Sequence, residues 1–463
     1  MNLKRPLTLA IMLSIATSIS AQMSAKVSYL PLELDEIGVN PQKQYTQPKE
    51  QNSWKNPIQI YPDITFQSIS GIGGCFNEIG GEALSCLSDK KQKEVLNALF
   101  NMETGSAMSF CRASVGSSDF GIDAYSFSEV ADDYQMEHFS LEREKEYMLP
   151  FIQKALEVNP DIRLFTSPWS PPAWMKYSGY MDRGIEFPDK NMLIDDPRIY
   201  NAYALYFLKY IEGYRAEGVN VERLLIQNEQ DIHTKYPSCR MPVEQMSEFV
   251  ATYLRPLFTK EDVDTQIWAG TFRTAGELEG LRFAASSRFQ RGFDGIGIQY
   301  TQPGYMNEIV TLAPNLKMMH TEGNCFNGEN SVEQARTRFE EVASYLNAGC
   351  ENYAYWNFVI NETGLSGWDW KQNCLITIDR DSKEVIYNPD YAVISFMSRY
   401  IKPNSVRVAA FCRETLISLA HADGYTLIMQ NDTDKSRCYN CIVGDEEVVF
   451  EIPAFSLCAV EIE

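Results

Sequence analysis

Histidine is scarce in this chain: 463 residues carry 4, namely His138, His233, His320 and His421. No two stand at H-x-H or H-x-x-x-H spacing, so no metal-binding pair forms on one strand or helix face. No G-x-S-x-G follows a β-rich run, which excludes the strained turn that exposes a serine nucleophile. GIGG at 71–74 does not complete G-x-G-x-x-G, because Phe76 stands where the third glycine would fall. It reads as a tight strand exit rather than a phosphate cradle. Positive charge is also short: 41 Lys and Arg against 62 Asp and Glu leave a net charge of −21. Nucleic acid and anionic membrane surfaces are therefore excluded as partners, since both select basic patches. After the N-terminus no apolar run approaches the ~20 residues of a membrane span.

The N-terminus reads as a cleaved export signal, with Lys4 and Arg5 before the short apolar stretch PLTLAIMLSIATSIS and small residues at Ser20 and Ala21. A secreted or periplasmic protein is expected. The 11 cysteines are odd in number, and Cys75, Cys111, Cys350, Cys412 and Cys458 lie in apolar contexts that suit buried small hydrophobes. Cys438 and Cys441 form one C-x-x-C without the second pair that a zinc site needs.

From residue 61 a strand–helix alternation repeats eight times, through ITFQSISGIGGCF, AMSFCRASVG, IRLFTSPW, VERLLIQNE, TQIWAGTF, FDGIGIQY, LKMMHTEG and ENYAYWNFV. Amphipathic helices intervene. One is capped by Asp196, starts at Pro197 and stops at Gly218; another has Ser331 and Gln334 at capping-box spacing. Eight such units predict an α/β (β/α)₈ TIM barrel over residues 61–390. Residues 391–463 change to short strands split by Gly, Asp and Asn turns, which predicts a C-terminal antiparallel β-sandwich. The segment 22–60, after the signal at 1–21, is expected to join that sandwich.

In such barrels the site forms at the C-terminal strand ends. Here strand four ends in Gln227, Asn228 and Glu229, and strand seven ends in Thr321 and Glu322. The two carboxyls therefore face each other across the barrel mouth, as acid and nucleophile must in glycoside hydrolysis. The rivals are a carbohydrate-binding protein without catalysis on the same scaffold, and a transglycosylase.

At GIGGCFNEIG, CRASVGSSDFGIDAYSF, LFTSPWSPPAWMK, IQNEQ, HTEG and YWNFV the sequence resembles glycoside hydrolase family 30, the family of glucosylceramidases and related β-glucanases and β-xylosidases. The resemblance implies a retaining β-glycosidase that acts on β-linked glucosides or glucan without cofactor or metal. It makes Glu322 the nucleophile and Glu229 the acid/base. It further implies that Asn228 bonds the sugar 2-hydroxyl, that Asp119 and Trp169 grip the first sugar, and that Arg112 lies beneath the carboxylates. Trp356 would form a wall of the pocket, with Asn373 at its rim; Tyr300, at the end of strand six, is a further substrate-binding candidate. The chain departs from the family at Gln299-Tyr300-Thr301, where a His followed by aromatics is common, and at Gln230, where Pro is common. Both lie on the leaving-group side, so they bear on the substrate, and β-xyloside, β-fucoside and β-1,6-glucan remain alternatives. The partner expected is a β-linked carbohydrate.

Overall fold

The computed structural model describes residues 23–33, 37, 43–45, 56–276 and 278–463; the expected export signal lies outside the described residues. Each of the eight β-rich runs contributes one barrel strand. In order these are Gly71–Cys75, Phe110–Ser114, Arg163–Ser167, Val221–Leu225, Gln266–Phe272, Gly295–Ile298, Met318–His320 and Asn352–Asn361. They pair in parallel in chain order, and the eighth pairs with the first. GIGG is thus the body of the first strand, not its exit. Its glycines admit a neighbour: a Cβ on Gly73 would stand 2.1 Å from the Phe110 carbonyl oxygen.

The seventh strand is short, and side chains supplement the isolated Met318–Cys350 bridge and the Glu351 N–H to Met318 carbonyl bond at 2.9 Å that join it to the eighth. Asn352 Nδ2 donates to the His320 carbonyl at 2.8 Å, and its Oδ1 accepts from the His320 N–H at 3.2 Å. His320 Nδ1 accepts from the Ala354 N–H at 3.1 Å, so this histidine is a neutral part of the seam. Inside the barrel, Phe110, Phe165, Leu225, Trp268, Met319 and Ala354 form one apolar layer. Side chains alternate along a strand, so two residues beyond Phe110 the next inward group is Arg112. The polar site stands on that apolar floor.

The second sheet draws on both ends of the chain. Ser456–Ile462 lies between Gly424–Asn431 and Ala25–Pro31, antiparallel to both. Asn56–Ser68 pairs antiparallel with Val406–Phe411 and parallel with Arg437–Val443, so one pair departs from the antiparallel pattern. The run ITFQSISGIGGCF, read as one barrel strand, is therefore two elements: its first half belongs to this sheet and its second to the barrel. Val27, Ile58, Ile60, Leu427, Tyr439, Phe450 and Val460 share one core, although their strands lie far apart in the sheet order. The sheet folds over on itself as a sandwich. Helix Pro389–Tyr400 packs between sandwich and barrel, within a core common to both.

The helix ends follow local chemistry. Asp196 accepts from the Arg198 N–H at the start of Pro197–Ala216, and Gly218 takes φ 81° after its end. Ser331 caps Val332–Arg336, but the Gln334 side chain reaches Glu329 and Asn373 instead of completing a box. All eleven cysteines are free thiols, with Cys86 and Cys412 partly exposed and the others buried. Among the described residues no helix is long and apolar enough to cross a membrane.

Candidate active site

The C-terminal strand ends carry two backbone irregularities. Glu229 and Tyr300 adopt φ 40° and 48°, left-handed values that cost non-glycine residues about 1–3 kcal/mol. Neighbouring strands hold Glu229 in this state: its N–H donates to Thr271 Oγ1 at 3.1 Å, and the Asn228 N–H donates to the Pro168 carbonyl at 2.8 Å. The turn aims the Glu229 side chain into the barrel mouth.

Arg112 organises the floor of the site. It is fully buried, and Nη1 donates to Glu322 Oε2 at 2.8 Å and to the Thr321 carbonyl at 3.0 Å. Nη2 donates to Asn228 Oδ1 and to Ser167 Oγ, both at 2.7 Å. Its guanidinium lies 4.6 Å from the Trp169 ring and 5.2 Å from the Trp356 ring, and the two indoles stack at 5.2 Å. A buried cation needs such partners, and it meets them in the order a carboxylate site requires. On the other side of Glu322, Tyr300 Oη donates to Oε1 at 2.5 Å, and Cys325 Sγ lies 3.7 Å from the same oxygen.

Glu229 has no comparable support. Its nearest cation is Arg273 Nε, 3.9 Å from Oε1, and that guanidinium is held by Asp231 at 2.9 Å. Burial, then the Glu322 charge, pushes the Glu229 carboxyl up to about 7. Burial raises Glu322 as well, but the Arg112 charge and hydrogen bonds from Tyr300, Arg112 and Cys325 pull it back. A proton shared by the pair therefore rests on Glu229. Gln299 Nε2 donates to Glu322 Oε2 and to Asn228 Oδ1, both at 3.3 Å. Thr321 Oγ1 lies 2.7 Å from Gln299 Oε1 and 3.1 Å from the Ile298 carbonyl oxygen.

The cleft above measures about 410 Å³, and Asp119, Trp169, Asn228, Glu229, Tyr300 and Glu322 all line it. Asn228 Oδ1 accepts from Arg112, Thr271 and Gln299, which leaves its amide nitrogen as the group to offer. Asp119 Oδ1 is buried without a protein partner. Its carboxyl is pushed up by burial and by the Glu322 and Glu229 charges. Arg112 and Trp356 support these residues without lining the cleft. Asn373 is turned away: Nδ2 donates to Gln334 Oε1 at 3.1 Å and Oδ1 accepts from the Asn330 N–H. The adjacent Gln372 occupies the rim instead.

Tyr236, Arg273, Cys325, Phe326 and Trp370 also line the cleft, and sequence reasoning did not single them out. All lie in loops beyond strand ends, where no periodicity marks an inward face. A signal existed for Arg273, which directly follows the fifth strand. A larger groove of about 870 Å³ runs past Phe66, Lys317 and Arg407, but no pair of carboxyls converges there.

Residues 69–268 match the glycosyl hydrolase family 30 TIM-barrel domain. Putative glucosylceramidase 3 of Caenorhabditis elegans is 26% identical over 385 residues, 76% of this chain and 70% of that one. Lysosomal acid glucosylceramidase of Mus musculus is 23% identical over 407 residues, covering 80% and 76%. An endo-1,6-β-D-glucanase of Neurospora crassa is 26% identical over 226 residues, covering 48% and 46%. Among solved structures, SrfJ from Salmonella typhimurium superposes with a TM-score of 0.83 at 22% identity, covering 95% of this chain and 99% of that one. An endo-β1,6-glucanase superposes with a TM-score of 0.83 at 21% identity, covering 94% and 98%. At these identities the structures share the fold.

Proposed function

We propose that this chain, whose residues 69–268 match the glycosyl hydrolase family 30 TIM-barrel domain, is a retaining β-glycosidase acting on β-linked glucosides or glucans, with Glu322 as nucleophile and Glu229 as acid/base. The observation that carries the assignment is the unequal support of the two carboxyls. Arg112 and Tyr300 hold Glu322 as an anion, while Glu229 keeps a proton to about pH 7. Glu322 attacks the anomeric carbon as Glu229 protonates the departing oxygen, and a glycosyl–enzyme ester forms. Glu229, now a carboxylate, takes a proton from water. The water oxygen bonds the anomeric carbon, the ester breaks, and Glu322 is released as an anion.

The retaining reading requires the two carboxyls ~5–5.5 Å apart, against the ~6.5–9.5 Å that admits an extra water. The names of the relatives, glucosylceramidase and endo-1,6-β-glucanase, favour a glucosyl unit. Tyr236 and Trp370, with ring centroids 5.9 Å apart at the rim, offer apolar faces to a second sugar or another aglycone. The proposal includes export, from the basic and apolar N-terminus. Proton NMR of an aryl β-glucoside digest tests the reaction: the β-anomer should appear first, and an α-anomer formed first would refute retention.

A further inference from the structure

The Asp119 carboxyl is reached from behind by a chain of buried amides that the mechanism above does not use. Asn77 caps helix Glu78–Ser85, its Oδ1 accepting from the Gly80 N–H at 2.7 Å. Its Nδ2 donates to Asn357 Oδ1 at 3.0 Å. Asn357 Nδ2 donates to the Asn373 carbonyl at 3.0 Å and to Gln372 Oε1 at 3.1 Å. Gln372 Nε2 then donates to Asp119 Oδ2 at 3.4 Å. Asn77 and Asn357 are 1% and 0% exposed, so water cannot replace a missing partner there, and Gln372 is the member of the chain that meets the cleft.

The sense of this chain is fixed at two points. A backbone N–H can only donate, so the Asn77 oxygen must face Gly80. A backbone carbonyl can only accept, so the Asn357 nitrogen must face Asn373. Both anchors demand the same direction, with the last donor aimed at Asp119. The loops are clamped as well. The Ile122 N–H donates to Glu78 Oε2 at 2.8 Å, and the Gly367 N–H donates to the Gly121 carbonyl at 3.0 Å. A Cβ on Gly367 would stand 1.9 Å from the Ile122 carbonyl oxygen, so the loop after strand eight approaches the Asp119 loop as only glycine permits.

We propose that Asn77, Asn357 and Gln372 form an amide relay that fixes the hydrogen-bonding sense of Asp119, and so decides which sugar hydroxyl pattern the cleft accepts. With Oδ2 occupied by Gln372, Oδ1 is the atom left for substrate. The proposal rests on the glycosidase reading and names three positioning residues for it. Asn357→Asp keeps the acceptor for Asn77 but removes the donor to Gln372, whose amide turns over and presents its oxygen to Asp119. Gln372→Met removes the last donor from the cleft side and keeps the side-chain length.

The test crosses enzyme variants with substrate analogues. Wild type, Asn357→Asp, Gln372→Met and Asp119→Ala are assayed on one aryl β-glycoside and on its 3-, 4- and 6-deoxy forms. Each relay variant should lose several-fold, up to roughly tenfold, in kcat/KM on the parent, the value of one hydrogen bond. That loss should vanish on the same deoxy analogue on which the Asp119→Ala loss vanishes. Equal losses on all analogues, or no loss in either relay variant, would overturn the relay. If Asn357→Asp does not fold, Gln372→Met carries the comparison alone. If wild type cleaves no aryl β-glycoside, the glycosidase reading has failed. The relay is then judged by tryptophan-fluorescence titration with the parent sugar and its deoxy forms, where the same pattern is required.

Discussion

Two glutamates at strand ends differ in function because their neighbours differ. Glu322 lies against a buried guanidinium and a phenol, whereas Glu229 faces a cation that Asp231 has largely neutralised. Only the protonated Glu229 can serve as the acid. Its folded pKa is raised, so Glu229 sets the basic limb, on which activity declines as pH rises through about 7, while Glu322 must lose its proton on the acidic limb. On an activated aryl glycoside, Glu229→Gln should lose this basic limb, since its amide does not titrate; a pH–rate profile in which the limb persists would contradict the assignment. Counting strand ends placed Asn228, Glu229 and Glu322, whereas Arg112, Asp119 and Trp169 were implied by the resemblance to the family. Sequence reasoning missed Gln372 beside Asn373, because loop residues one position apart have no period that tells inward from outward. The role of Tyr300 was legible as proximity to the cleft, but not as a bond to Glu322.

At the scale of elements, the first barrel strand shows what glycine is for. Gly73 and Gly74 have no room for side chains, and the 2.1 Å approach of a Gly73 Cβ is to backbone, which cannot rotate away. Gly73→Ala should destabilise the fold by about 3 kcal/mol or more, read as a large fall in Tm. Gly304, near the start of helix Pro303–Leu312, has open space where a Cβ would stand. There Gly304→Ala should raise stability by up to ~1 kcal/mol. A similar Tm for the two variants would contradict this reading of the strand. The eight strands were legible from β-rich runs with helical periods between them. The split at Ser68 to Gly71 was not, because a β-rich run does not say which sheet will receive it.

At the scale of the molecule, a buried carboxyl sets a dependence of stability on pH. Glu144 accepts from Tyr125 Oη at 2.6 Å and from Tyr214 Oη, and no cation contacts it. It joins the long segment after the second strand to helix Pro197–Ala216. Burial pushes its carboxyl from 4.5 up to about 7. The folded state thus holds a proton that the unfolded chain releases near 4.5, so this group's stabilisation is full at low pH and is lost as pH climbs from about 4.5 to about 7. Glu144→Gln should flatten the fall in Tm between pH 5 and pH 8, by an amount on the order of a few kcal/mol. An unchanged slope would contradict it. The second sheet was legible as a strand-rich region, but its curl and its one parallel pair were not, since they depend on contacts between distant segments.

The division of roles between the two glutamates is tested most directly by azide rescue. A small anion can enter the space left at Glu322→Ala and attack from the nucleophile's side, giving an α-glycosyl azide. In Glu229→Ala the ester on Glu322 still forms from an activated substrate, and azide attacks it from the opposite face to give a β-glycosyl azide. The account predicts α from Glu322→Ala and β from Glu229→Ala. The reverse pairing would exchange the two roles, and wild-type turnover by Glu322→Ala without azide would contradict the site altogether.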